Sequence, residues 1–186
     1  MQERSQDITP DKEIHVENPY ASMTREDLLR ALDMFAKNWL AHDGCWFLAA
    51  EERLGMDTAI SLDADSWRRF AAAEARRVMD TFGQPGLEGL EALERALAHR
   101  MYSFINEQHA EWSEDRKELT FVMDRCRVQE TRRRKGLPDF PCRPVGEVEF
   151  SAFSATVDPR IRVQCRHCPP DAKDGQYCAW TFRLND

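Results

Sequence analysis

The chain has 186 residues and a formal net charge of −7, with 42% hydrophobic and 32% charged residues. This length supports one domain with a substantial core, and the composition is that of a globular protein rather than a disordered or fibrous one. No apolar run in the sequence is long enough to cross a bilayer, and the polar N-terminus lacks an apolar signal core. We therefore expect a cytoplasmic protein that binds neither membrane nor nucleic acid, because its net charge is negative.

The C-terminal part of the chain differs from the rest. Residues 125–186 hold 12 Lys and Arg against 8 Asp and Glu and contain five of the six cysteines, whereas the rest is acidic. We expect an extended arm over residues 1–21 and a single domain over 22–186, helical over 22–101 and sheet-forming and cysteine-rich over 102–186. Six cysteines in a reducing compartment argue against a disulfide framework.

The first half of the domain predicts helices. Thr24 is typical of an N-cap, and the residues after it predict a helix that runs to Leu54, because apolar positions recur at intervals of four and three. The face so defined comprises Leu28, Leu32, Phe35, Trp39, His42 and Trp46. Three further helices are expected over 56–63, 67–82 (capped by Asp65 or Ser66) and 87–102.

The second half predicts a sheet. Residues 102–112 and 118–126 have the composition of two strands joined by a polar turn, and two more strands are expected over 160–165 and 177–184. Short helices are expected between the pairs, over 127–135 and 145–158, separated by a proline-rich loop. The order is helices first and then β-β-α-α-β-β, which predicts an α+β fold with a four-stranded antiparallel sheet.

Four cysteines of the second half are candidate metal ligands. If the two short helices cross the sheet and return, the four lie at one end of the sheet and Cys126 lies at the other. Four thiolates in a tetrahedral arrangement bind Zn²⁺ and also suit an iron–sulfur cluster, and His167 could replace one of them. The predicted metal ligands are Cys142, Cys165, Cys168 and Cys178. The alternative is that each thiol is a small buried apolar side chain.

A second candidate site lies on the helices. His42 falls between two tryptophans on the predicted apolar face, and a polar group there needs a partner, for which Glu74 is the candidate. Cys45 and Trp46 lie beside it, and Gly44 allows a close approach. We expect a small-molecule pocket lined by these residues, with His42 and Cys45 as a possible base and nucleophile. The alternative is a histidine packed in the core.

The basic run at residues 125–135 is the remaining candidate. No aromatic side chain interleaves with it, so a solvated helix face, a dimer contact or an anion-binding rim is favoured over a nucleic-acid site. Arg125 and Arg127 flank the end of the second predicted strand. Arg127 is therefore assigned to the ligand pocket.

Several stretches together resemble a family of uncharacterised bacterial and archaeal cytosolic proteins. They are "MYSFINEQ", "MDRCRVQETRRRKGLPDFPCRPVG", "DPRIRVQCRHCPPD" and "YCAWTF". More remotely, the Cys-x-aromatic-x-aromatic pattern of the last strand resembles 4-vinyl reductase domains and aminothiazoline-carboxylate hydrolase-like proteins. The resemblance to 4-vinyl reductase domains implies the fold of the TRAPP subunits, cysteines that hold zinc and an interior that holds a small apolar ligand.

The sequence thus favours a cytosolic domain that binds a metal, zinc in preference to an iron–sulfur cluster, and a small molecule, as a sensor or accessory protein. One alternative is a hydrolase of a small C–N or C–S substrate that uses His42 and Cys45 or the metal. Another is a structural zinc domain for protein–protein contact. A homodimer is expected, because aromatic-rich helices on one sheet leave apolar surface to cover.

Overall fold

The computed structural model describes residues 18–171, 173 and 175–185, so most of the predicted arm over 1–21 lies outside the described residues. The helices are α1 Arg25–Leu54, α2 Met56–Phe82, α3 Gly89–Ala98, α4 Arg127–Arg134 and α5 Arg143–Val157, with a 3-10 turn at Met101–Phe104. The strands are β1 Glu107–Trp112, β2 Glu118–Arg125, β3 Ile161–His167 and β4 Cys178–Leu184. Within this part of the chain, no helix is apolar enough over a sufficient length to span a membrane.

The four strands form one sheet in the order β1-β2-β4-β3, and every neighbouring pair is antiparallel. The predicted α+β class and the β-β-α-α-β-β order are confirmed. Side chains on the edge strand β1 alternate between exposed and half-buried, whereas the central strands β2 and β4 are buried on both faces over residues 119–123 and 179–182. Helix α5 packs against β3, and α2 packs against α5.

Several predicted boundaries are wrong. The helix expected over 87–102 ends at Ala98, and the strand expected over 102–112 begins only at Glu107, because Met101–Phe104 form a 3-10 turn. The helices expected over 56–63 and 67–82 are one continuous helix, α2. Asp65 and Ser66 are exposed positions inside it rather than caps, so their capping tendency is overridden by the apolar face that continues through Ala59, Trp67 and Ala71.

The apolar face predicted for α1 is largely exposed. Trp46 is 69%, Leu32 51% and Phe35 50% exposed, and His42 is exposed as well. The residues of α1 that are buried, Ala36 and Leu40, lie on a different face that meets the rest of the domain. The prediction of a helix is confirmed. Of the six residues on the predicted face, Trp39 packs against the core, but the other five are exposed, so the prediction that this face is buried is wrong at those five positions.

The cysteines of the second half lie at one end of the sheet, and the prediction that Cys126 lies at the other end is wrong. Strand β2 ends next to the start of β4, since the two are antiparallel neighbours and Met123 pairs with Cys178. Strand β3 ends at this end too, since it is also antiparallel to β4. Helix α4 is short and follows β2 directly, so it does not carry the chain across the sheet.

Close packing fixes the distance between α5 and the sheet. A Cβ atom added at Gly146 would lie 2.4 Å from Cζ2 and 2.8 Å from Cη2 of Trp180, which is fully buried on β4. Phe150, one turn further along α5, stacks obliquely on the same indole with ring centroids 4.9 Å apart. Glycine at position 146 therefore allows α5 to approach the sheet.

This contact predicts opposite effects for one substitution at two helical glycines. Gly146→Ala is expected to lower the free energy of unfolding by about 1–3 kcal/mol, because the added methyl group overlaps Trp180. Gly44→Ala in α1 is expected to raise it by about 0.5–1 kcal/mol, because a Cβ there meets no atom within 4 Å. Urea denaturation of both variants measures the two values, and equal shifts would contradict the assignment.

Candidate ligand-binding site

A cavity of about 380 Å³ lies between α1, the sheet, α4 and α5. Ligand pockets in proteins have volumes of roughly 300–1,000 Å³, so this one has room for a small organic molecule. Its boundary on the sheet is formed by two rows of residues that lie side by side across the strands. The first row is Gln108, Met123 and Cys178, and the second contributes Phe121 and Trp180.

Helical spacing supplies the rest of the boundary. Val145, Gly146, Glu149 and Phe150 of α5 line the cavity at intervals of three and four residues, as one face of a helix must. Helix α1 contributes Leu40, Gly44, Phe47 and Leu48 from the face opposite its exposed aromatic residues. Most of these side chains are apolar, so the cavity favours an apolar ligand.

Helix α1 is attached on both sides of the stretch that covers the cavity. On one side, Trp39 contacts the rings of Trp67 and Tyr102 with centroids 6.1 and 5.8 Å away. On the other side, Arg132 of α4 donates to both carboxylate oxygens of Glu51 at 2.6 and 2.9 Å. The segment between these attachments spans the cavity.

The polar part of the cavity centres on Arg100. This guanidinium is buried and donates to Glu74 of α2 at 2.7 and 3.0 Å and to Glu149 of α5 at 2.7 Å. Aromatic rings surround it, with Phe153 and Tyr102 centroids 4.8 and 5.0 Å from Cζ. Burial raises the pKa of Glu149, and Arg100 opposes that rise.

Two further carboxyl groups line the same part of the cavity. Burial raises the pKa of Asp63 to about 7, and the charges of Asp43 and Glu149 raise it too. Burial likewise raises the pKa of Asp43, although His42 lowers it. Neither aspartate has a cationic partner within ion-pair distance among the described residues, so this region holds more carboxyl groups than Arg100 neutralises.

Four thiols line the cavity: Cys45, Cys126, Cys142 and Cys178. Cys142 Sγ accepts a hydrogen bond from Gln129 Nε2 at 3.1 Å and donates to the Phe140 carbonyl oxygen at 3.4 Å. Burial raises the pKa of Cys126, Cys142 and Cys178 above the ordinary value of a thiol. These side chains are therefore protonated at neutral pH, and they are weak nucleophiles in that form.

The four predicted metal ligands occupy two neighbouring positions. Cys142 and Cys178 line the cavity. Cys165 and Cys168 are free thiols that interact through a hydrogen bond at the end of β3, which raises the pKa of Cys165 and lowers that of Cys168. Among the described residues, no group of three or more His, Cys, Asp or Glu side chains is arranged to hold a metal ion. Binding of zinc or an iron–sulfur cluster stays a prediction.

The residues predicted to bind a ligand are divided between the cavity and the surface. Cys45 and Arg127 line the cavity. His42 and Trp46 are exposed and, in the described part of the chain, do not line it. Glu74 is buried as expected, but its partner is Arg100 rather than His42, because the latter points away from α2 on the exposed face of α1.

A family model described as "Family of unknown function (DUF6125)" matches residues 21–184. The chain belongs to this family. Membership in an uncharacterised family is thus confirmed. No curated protein matches the sequence. Among solved structures, a similar chain is a trafficking protein particle complex subunit 3 from Naegleria fowleri covalently bound to palmitic acid, with 14% identity and a TM-score of 0.46 over 87% of this chain and 97% of that one.

Sequence reasoning missed several residues that line the DUF6125 cavity. Asp63 and Trp67 lie four residues apart on α2, a spacing that places them on one face. Gln108 and Ala110 lie two residues apart on β1, which places both on the half-buried face of the strand. Those two patterns were signals. Arg100 had none, because it lies between two elements and its partners are 26 and 49 residues away.

The buried carboxyl groups predict a pH-dependent effect of Asp63→Asn in this DUF6125 protein. Because the pKa of Asp63 is about 7 when folded and 3.8 ordinarily, the folded chain keeps a proton that the unfolded chain has lost between those values. The contribution of Asp63 to stability therefore falls as pH rises through that window. Asp63→Asn is expected to raise the free energy of unfolding by on the order of 1–3 kcal/mol at alkaline pH and to change it little below the lower pKa.

Urea denaturation across that pH range measures the effect. Asp65→Asn, an exposed carboxylate on the same helix, is the control and is expected to change stability by less than about 0.5 kcal/mol throughout. A pH-independent difference between Asp63→Asn and the wild-type protein would contradict the assignment.

Proposed function

We propose that this protein binds a small, largely apolar molecule in the cavity beneath α1 and acts as a cytoplasmic sensor or accessory protein. The observation that carries the proposal is the cavity itself, about 380 Å³ in volume and lined by aromatic and aliphatic side chains with a few polar groups. An apolar space of this size would cost stability if it served no purpose, since empty cavities weaken packing.

One polar group in the cavity supports binding of a ligand with a hydrogen-bond donor. The Gln108 side-chain oxygen Oε1 is fully buried and has no hydrogen-bond partner within the described part of the chain. A buried acceptor without a donor costs roughly 1–3 kcal/mol. A ligand hydroxyl or amide would remove that cost once the Gln108 side chain turns its oxygen toward the cavity, because Oε1 itself has almost no accessible surface in this structure.

Binding is favoured over catalysis. Three of the four cavity thiols, Cys126, Cys142 and Cys178, are protonated because burial raises the pKa of each, and His42, the predicted base, lies on the exposed face of α1. A thiol needs an adjacent base to act as a nucleophile when its own pKa is raised. The hydrolase alternative, the structural zinc domain and the relation to 4-vinyl reductase domains stay predictions.

Ligand binding is tested with decan-1-ol, a neutral apolar probe that carries one donor. We expect saturable quenching or shift of tryptophan fluorescence, because Trp67 and Trp180 line the cavity. Gly44→Phe is expected to weaken binding at least about tenfold. The space beside Gly44 is open, so the new ring would occupy part of the cavity and compete with the ligand. Gly44→Ala is the matched control and should bind as the wild-type protein does. Equal binding by all three proteins would show that the probe binds outside the cavity.

We also propose a homodimer formed through the exposed apolar face of α1. Leu28, Leu32, Phe35 and Trp46 all lie on this face and are 39 to 69% exposed. Contiguous exposed apolar patches of this kind mark interaction sites, and two copies of one face form a closed, symmetric contact.

Light scattering after gel filtration tests the homodimer. The wild-type protein is expected to show twice the chain mass of 21.6 kDa, and Phe35→Glu is expected to show the mass of one chain, since the carboxylate would be buried in the contact. Lys117→Glu, an exposed position in the β1–β2 turn, is the control and should leave the dimer intact. A wild-type protein with the mass of one chain would refute the proposal.

A further inference from the structure

The basic run that includes α4 contains two kinds of cation. Arg125 pairs with Glu107 and Glu130, Arg132 with Glu51, and Arg133 with Asp139, at distances of 2.6 to 2.9 Å. The other three basic residues of the run are Arg127, Arg134 and Lys135. Across the described residues, none of these three has a carboxylate within ion-pair distance.

All three unpaired cations line the cavity. They are exposed, and they lie at positions i, i+7 and i+8, which places them on one side of α4 and its C-cap. Thr131 lies between them, also lines the cavity and accepts a hydrogen bond from Arg134 Nη2 at 3.0 Å. The cations that are neutralised by carboxylates serve the fold, and those left unpaired form a positive rim where the cavity opens to solvent.

The carboxyl groups of the cavity belong to a different region. Asp43, Asp63 and Glu149 come from α1, α2 and α5, and the charged groups that shift their pKa values are one another together with His42, Arg100 and Glu74. No cation of α4 is among those groups. The cavity is therefore polarised, with a positive rim on α4, apolar side chains such as Met123 and Phe121 between, and carboxyl groups near Arg100.

We propose that the ligand of this cavity is an amphipathic carboxylate, with its anionic group at Arg127, Arg134 and Lys135 and its apolar part against the sheet. The inference rests on the proposed function and specifies the ligand class of the same site. Arginine and lysine bind carboxylates through charge-assisted hydrogen bonds. The carboxyl groups near Arg100 repel an anion, so a single orientation is favoured, with the apolar end inside.

Decanoate and decan-1-ol separate the head-group inference from the cavity proposal, since they share one apolar chain and differ in charge. We expect decanoate to bind the wild-type protein about tenfold more tightly at low salt, equivalent to about 1.4 kcal/mol. Arg127→Gln combined with Lys135→Gln should remove that advantage, so that the double variant binds decanoate no more tightly than decan-1-ol. High salt should reduce the advantage as well, because the rim is exposed.

Arg125→Gln is the matched control. It removes one positive charge from the same basic run, but Arg125 is paired with two glutamates and does not line the cavity as the structure describes it. We expect the preference of Arg125→Gln for decanoate to be that of the wild-type protein. Thermal denaturation confirms that each variant is folded.

The outcomes distinguish the two proposals. Equal affinity of the wild-type protein for decanoate and decan-1-ol would overturn the head-group inference and leave the cavity proposal standing. The same would follow if Arg125→Gln weakened decanoate binding as much as the double variant Arg127→Gln with Lys135→Gln, since the effect would then be one of overall charge. Failure of both probes to bind would overturn the proposed function and this inference with it.

Discussion

The burial of Arg100 is the constraint on which the arrangement of the domain depends. Its guanidinium joins Glu74 of α2 to Glu149 of α5 at the point where the helical part of the chain leads into the sheet. A buried ion pair is costly to assemble, and loss of one partner typically costs about 3–5 kcal/mol because a charge is left uncompensated. Four aromatic rings pack around the cation and exclude water from it: Trp67, Tyr102, Phe150 and Phe153. The position of α5 is thereby fixed from one side by charge and from the other by contact with Trp180. Since α5 lines the cavity, the same two contacts hold the cavity open at a definite width.

Most of the fold could be predicted from local patterns. Strands could be recognised from runs of β-branched and aromatic residues bounded by polar turns, and the loss of helical periodicity marks where the sheet begins. Two predictions were wrong because they concern features that depend on contacts between elements distant in the sequence. The path of α4 decides whether the later cysteines lie at the same end of the sheet as Cys126, and nothing within the sequence of that helix states its direction relative to β2. The choice between the two apolar faces of α1 is decided by what packs on it: Ala36 and Leu40 face the domain although Trp46 and Phe35 are larger.

The candidate site was only partly predictable for a related reason. A cavity is a space between elements, so its lining is set by packing rather than by any one motif. Arg127 was assigned to the pocket from its place beside the end of a strand, and the structure puts it at the cavity rim. The sequence predicts His42 as a pocket residue because it lies between two tryptophans, whereas its neighbour Asp43 is the residue that lines the cavity. A rotation of one residue, about 100° around the helix axis, separates the two.

The protonated thiols of the cavity have a consequence for how its opening can be followed. Cys45 is exposed, while Cys126, Cys142 and Cys178 are half-buried, and burial raises the pKa of these three. Alkylating reagents attack thiolates, so among the four thiols of the cavity Cys45 should react first, and the other three only when α1 moves away from α4. The rate of that slower reaction would then measure how often the Arg132–Glu51 contact breaks. Alkylation of the buried thiols would thus measure the rate at which the cavity opens for its ligand to enter or leave.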